Sequence, residues 1–189
     1  MKNKKLIVIE GFDRSGKDTL LQDLKNYIKD NSICIYENDL TGLPSYSKEQ
    51  GKFIDWLNKF IDKQTDDLIK LFETYDTVIM VRLIVSDEVY SHEFKRERTT
   101  IKYMNKLDGI EINNYCILFK NFSEYSKRIN RLGFDLQYHK QEFDDINKLY
   151  NDVLENIGYK YNINYIKNWT TPEEILSDFI NIYELDNVR

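Results

Sequence analysis

Gly11-Phe12-Asp13-Arg14-Ser15-Gly16-Lys17 carries the spacing G-x-x-x-x-G-K. Glycines at those two places let a loop wrap closely around phosphate oxygens, with successive backbone N–H groups pointing inward as a nest. The lysine adds a point charge for the β- and γ-phosphates of a nucleoside triphosphate. Gly11, Ser15, Gly16 and Lys17 are therefore the expected phosphate contacts. With 7 glycines and 20 lysines in 189 residues, a shuffled chain would hold roughly 0.03 such matches. Where the motif ordinarily places a Ser or Thr magnesium ligand, this chain has Asp18, followed by Thr19. A carboxylate can ligate Mg²⁺ directly or through water, and without a cation it would repel the phosphates. Asp18 and Thr19 are the expected metal residues, Mg²⁺ the expected cofactor and ATP the expected co-substrate.

Such a loop works only between a strand and a helix. Leu6-Ile7-Val8-Ile9 reads as a buried parallel strand. From Lys17 to about residue 29, Leu20, Leu21, Leu24, Tyr27 and Ile28 form one apolar helical face. Further strands are predicted at 33–36, 77–81, 115–119 and 161–166. Helices are predicted near 53–61, 66–75, 86–106, 123–132 and 142–156. Thr171, Pro172 and Glu174 spell a capping box with proline at the first helical position. The alternation predicts an α/β fold with a five-stranded parallel sheet flanked by helices, in one domain over 1–189.

The composition bounds the remaining classes. There are 22 Ile, 20 Lys, 18 Asn and 14 Tyr but no Ala, the mark of an AT-rich gene. Lysine and asparagine runs therefore carry little signal, and the core must be built from Ile, Leu, Val, Phe and Tyr. The net charge of −5 argues against a nucleic-acid partner. No apolar run suits a membrane span. Cys34 and Cys116 are isolated in apolar runs and read as buried thiols of a cytoplasmic protein. His92 and His139 form no zinc pattern with them.

Glu10-Gly-Phe-Asp-Arg-Ser-Gly-Lys-Asp-Thr19 resembles the opening of thymidylate kinases, E-G-x-D-[GR]-x-G-K-[ST]-T. The likeness continues along the chain. Arg82, Ser86 and Tyr90 resemble the D-R-Y-x-x-S-x-x-[YF] segment of those enzymes, and Ser86-Asp87 also matches E-R-S-x-x-S-D-R-Y of deoxynucleoside kinases. Arg128, Arg131, Gly133 and Asp135 resemble an R-x-x-x-R-x-x-x-D lid, one residue shorter between the arginines. Trp169 to Glu174 resembles the family's closing segment. The resemblance implies a P-loop nucleotide kinase fold with a short lid at about 123–140, and transfer of the ATP γ-phosphoryl group to a deoxynucleoside monophosphate, dTMP first. It implies that Arg14 stabilises charge at the transferring group and Arg82 holds the acceptor phosphate in a fork. Asp13 would meet the acceptor's 3′-hydroxyl region, with Ser86 and Tyr90 nearby. Arg128 and Arg131 would close over ATP. Family likeness also suggests a homodimer.

The chain departs from the pattern in places. The acid expected before Arg82 is Val81, a loss that Asp18 could offset. No arginine marks the helix expected between 51 and 77, where Lys63 is the nearest cation. Glu37 stands where a nucleoside kinase would place a base for the 5′-hydroxyl. A nucleoside acceptor, or a nucleotide switch without acceptor, thus stays open beside the monophosphate. Lys95, Arg96 and Arg98 read as a charged helix face, and Phe53, Trp56 and Phe60 as core at helical spacing that could also stack a base.

Overall fold

The computed structural model describes residues 4–38, 40–44, 48–93, 95, 105–133, 138–157, 162–166 and 171–185. Arg96, Arg98, Asp135, Trp169 and Thr170, singled out above, lie outside the described residues. Five strands form one sheet: β1 (Lys5–Gly11), β2 (Ile33–Tyr36), β3 (Thr77–Val81), β4 (Glu111–Ile117) and β5 (Asn162–Ile166). Their order is β2-β3-β1-β4-β5 and every pairing is parallel. The described helices are α1 (Lys17–Tyr27), α2 (Gln50–Thr74), α3 (Ile84–Glu93), α4 (Phe122–Arg131), α5 (Lys140–Ile157) and α6 (Pro172–Ile182). None of them is long and apolar enough to cross a membrane.

The two faces of the sheet bury separate cores, as strand alternation requires. Ile7 and Ile9 of β1 face Leu20, Leu21 and Leu24 of α1 and Ile175 and Phe179 of α6. Leu6 and Val8 face Ile61, Leu68 and Phe72 of α2 and Ile84 of α3. Beyond them, Val85 and Val89 of α3 join Tyr125 and Ile129 of α4 and Phe143, Ile146 and Tyr150 of α5. In a chain without alanine, tyrosine fills core volume: Tyr115, Tyr125 and Tyr150 are fully buried. All three hydroxyls find partners: Tyr115 donates to Asp178 Oδ2 at 2.6 Å, Tyr150 donates to the Gly11 carbonyl at 2.9 Å, and Tyr125 accepts from the Tyr138 N–H at 3.3 Å.

Three elements differ from the sequence expectation. The helix expected over 86–106 is α3 only as far as Glu93: Lys95 stands in a left-handed turn at φ +49°, and 94 and 96–104 lie outside the described residues. The helices expected at 53–61 and 66–75 are one continuous α2 of 25 residues. The polar stretch between them holds no Gly or Pro. Gln64 and Thr65 turn inward, and the Thr65 hydroxyl donates to the Ile61 carbonyl at 2.8 Å. β4 begins at Glu111, ahead of the expected 115, because pairing with β1 runs back to Lys5↔Glu111. Asn113 and Asn114 weaken the strand signal, yet both are buried within it. The capping box of α6 is formed as expected, with the Thr171 hydroxyl accepting from the Glu174 N–H.

This topology places the loop after β1. The connections leaving β1 and β4 run in opposite directions, toward β2 and β5, and open a crevice at the carboxyl ends of the strands.

Candidate active site

Residues 11–17 turn from β1 into α1. Gly11 has φ +133°, and a Cβ there would stand 2.1 Å from the Ile117 carbonyl oxygen, so only glycine lets the loop pass β4. Gly16 has φ +103° and sits at the N-cap of α1. Arg14 is also left-handed, at φ +61°. Alternating backbone hands of this kind turn consecutive N–H groups to one side, in front of the helix dipole.

Lys17 is only 3% exposed. Its ammonium donates to the Phe12 carbonyl and lies 3.4 Å from Ser15 Oγ, folded back over the loop. Burial pulls its pKa down to about 8, against the upward pull of Asp18 and Glu10. Asp18 and Thr19 lie exposed in the first turn of α1. One carboxylate and one hydroxyl suit a magnesium ion whose other ligands are phosphate oxygens and water. Among the described residues no group of three or more His, Cys, Asp or Glu could hold a metal on its own.

Phe12 anchors the loop, a role its residue type did not announce. It is fully buried and stacks on Phe143 at 4.8 Å, with Tyr150 at 5.2 Å and Phe119, Tyr138 and Tyr125 between 6.1 and 6.5 Å. The density of aromatics over 119–150 was the available sequence signal.

The structure joins Asp13 and Arg82 across the crevice. The Arg82 guanidinium pairs with Asp13 Oδ1, while the Tyr138 hydroxyl donates to Oδ2 at 2.9 Å. Arg82 also lies over the Tyr90 ring, 5.3 Å from its centre. The loop, the end of β3 and the entry to α5 thus meet at one carboxylate, with Tyr90 of α3 against the arginine. Arg82 has φ +61°, an uncommon conformation for a long side chain.

The other expected residues divide. Arg128 reaches the loop: a Cβ built on Gly16 would lie 3.5 Å from Arg128 Nη2. Burial, then the neighbouring Arg131, lowers the Arg128 pKa to about 10. Arg131 itself points to solvent. The Ser86 hydroxyl is buried and donates to Glu10. Glu37 is 62% exposed and pairs with Lys25 at 2.5 Å. Its neighbour Asn38 turns inward instead, donating to the Val81 carbonyl at 2.6 Å and accepting from Gln64 at 2.6 Å. Neither Asn38 nor Gln64 was singled out from sequence. Trp56 and Phe60 stack on each other at 4.9 Å and are half-buried. Lys63 and Lys95 are exposed, and Cys34 is half-buried where full burial was expected.

A parallel 2-3-1-4-5 sheet with a glycine loop entering α1, and an arginine at the end of β3, defines the P-loop nucleotide kinase fold. Solved structures agree on that fold. The chain is similar to YorR protein from Bacillus subtilis, solved in complex with phosphorylated GDP, at 22% identity, 98% coverage of this chain, 99% of that one and a TM-score of 0.63. It is similar to deoxyadenosine kinase from M. mycoides with bound dATP, at 15% identity, 97% and 100% coverage and a TM-score of 0.66. It is also similar to thymidylate kinase from Ehrlichia chaffeensis, at 14% identity, 96% and 99% coverage and a TM-score of 0.61. No family model matches the chain, and no curated protein does.

Proposed function

We propose that the protein transfers the γ-phosphoryl group of ATP to a deoxynucleoside monophosphate, with dTMP as the first acceptor to test. The observation that carries this reading is the Asp13–Arg82 pair, poised beside the phosphate loop at the carboxyl end of the sheet. Phosphoryl transfer asks for alignment and charge neutralisation rather than a covalent intermediate. Loop N–H groups and Lys17 hold the donor phosphates, Arg14 faces the transferring group from the loop's edge, and Arg82 binds the acceptor phosphate as a fork. Asp13, oriented by Tyr138, receives the acceptor sugar. Arg128 closes the donor side, and the lid at about 123–140 keeps water from taking the phosphoryl group. Asp18 and Thr19 would hold magnesium, which neutralises charge on the phosphates. A phosphate acceptor is already an anion near neutral pH and needs no base. That agrees with Glu37 being exposed and engaged with Lys25.

A nucleoside acceptor is the second reading. Its support is the part-buried amide pair Asn38–Gln64, where a phosphate acceptor would call for cations. The test is ADP release with ATP and Mg²⁺ against nucleosides and their monophosphates. Turnover with dTMP and none with thymidine is expected. Activity on thymidine but not dTMP reverses the order, and no acceptor-dependent ADP at all favours a nucleotide switch. Asp18→Ser is expected to change the Mg²⁺ dependence of turnover. Unchanged activity and magnesium requirement would remove Asp18 from the metal site.

A further inference from the structure

Glu10, the penultimate residue of β1, has no exposed surface. Its Oε1 accepts from the N–H of Leu83 at 2.8 Å and of Val85 at 3.1 Å. Its Oε2 accepts from the N–H of Ser86 at 3.2 Å and from the Ser86 hydroxyl. Burial pushes its pKa up, while the Ser86 and Leu83 hydrogen bonds and the Arg82 charge pull it back. Backbone N–H groups can only donate, so this surrounding suits the carboxylate form.

All of these donors belong to the turn that follows Arg82. That residue is held from its other side as well, because its own N–H donates to the Ile9 carbonyl at 2.9 Å. A left-handed arginine persists only where its surroundings over-determine it. Here two consecutive residues of β1, Ile9 and Glu10, fix the backbone before and after it. The next residue along β1 is Gly11, the first of the phosphate loop.

We infer that Glu10 is a positioning residue: its buried carboxylate locks the turn from 82 to 86, so that the Arg82 guanidinium keeps its place opposite the phosphate loop. The same strand then carries the donor loop and dictates where the acceptor arginine stands. The kinetic part of this inference rests on the phosphotransfer reading, and the structural part does not.

Two measurements test it. In the substrate-free wild type, amide hydrogens of Leu83, Val85 and Ser86 are expected to exchange as slowly as those of β1. Exchange at the rate of surface amides overturns the inference. This readout needs no turnover, so it also decides the matter if wild type proves inactive with every acceptor or if a variant does not fold. The second measurement uses Glu10→Gln with ATP–Mg²⁺ and dTMP, or thymidine where the acceptor panel selects it. The acceptor KM is expected to rise tenfold or more, and the ATP KM to stay within threefold. In an Arg82→Ala background the same substitution is expected to change acceptor kcat/KM less than twofold, because Glu10 acts through Arg82. Equal rises in both KM values, or an undiminished effect without Arg82, overturns it.

Discussion

At the scale of single residues, charge held in unusual places dominates. Arg82 reaches Asp13 from a left-handed backbone and is only partly exposed. A lysine there could supply the charge but not two parallel donors. Arg82→Lys is therefore expected to raise the acceptor KM by about 10- to 100-fold, the loss of about 1.5–3 kcal/mol of charge-assisted hydrogen bonding, while the ATP KM changes little. Steady-state kinetics with each substrate varied in turn checks this. Lys17 gives a stability signature. Its folded pKa of about 8 lies below the ordinary 10.5. Between those values the unfolded chain binds the extra proton, so stability rises with pH across that window and is lost as pH falls through it. The full effect is about 3 kcal/mol. Lys17→Met should lack that rise, a difference that denaturant midpoints at pH 7.5 and pH 10 would show.

At the scale of elements, the sheet tolerates two polar positions on different terms. Asn113 of β4 donates to Glu111 at 3.2 Å and accepts from Asn162 at 3.0 Å, so its amide is spent at the sheet's amino end. Asn114 is fully buried beside Val8 and Ile163, and neither of its amide atoms has a partner among the described residues. An unpartnered buried amide costs about 1–3 kcal/mol. Asn114→Val would remove that cost with a β-branched side chain suited to an inner strand. The variant is expected to be more stable by about 1–2 kcal/mol in denaturant unfolding, with turnover unchanged. Its neighbour Cys116, also buried, shows that the same face accepts small apolar side chains.

Across the whole molecule, the phosphate loop is tied to the distant helices by Phe12. That ring joins β1 to an aromatic cluster of α4 and α5, which also carries Tyr150 and its bond to the Gly11 carbonyl. Phe12→Ala is expected to lose about 3–5 kcal/mol of stability, the cost of removing a buried ring. It is also expected to weaken ATP binding, because the Lys17 ammonium rests on the Phe12 carbonyl and the loop would lose its anchor. Calorimetric unfolding and ATP titration check the two parts. Phe12→Leu, which keeps most of the buried volume, should recover most of the stability.

What the sequence determined by itself is local. The loop spacing, the short β-branched runs of β1, β2 and β3 and the Thr171 capping box each depend on neighbours in the chain, and each formed where the residue pattern placed it. The strand–helix alternation was enough for a parallel α/β sheet, since chirality and burial leave few other solutions. What only the tertiary structure decided is which polar groups meet. Glu10, Ser86, Arg82 and Asp13 are spread along the chain, and pairing of β1 with β3 brings them together. Asn38 faces inward while Glu37 turns to Lys25, a choice set by the Val81 carbonyl and Gln64 on one side and α1 on the other and not by residue type. Phe12 is an unspecified position in the loop motif, and its burial depends on the aromatic cluster that α4 and α5 bring to it. Spacing along a chain fixes local geometry, whereas contacts between segments exist only once burial has drawn those segments together.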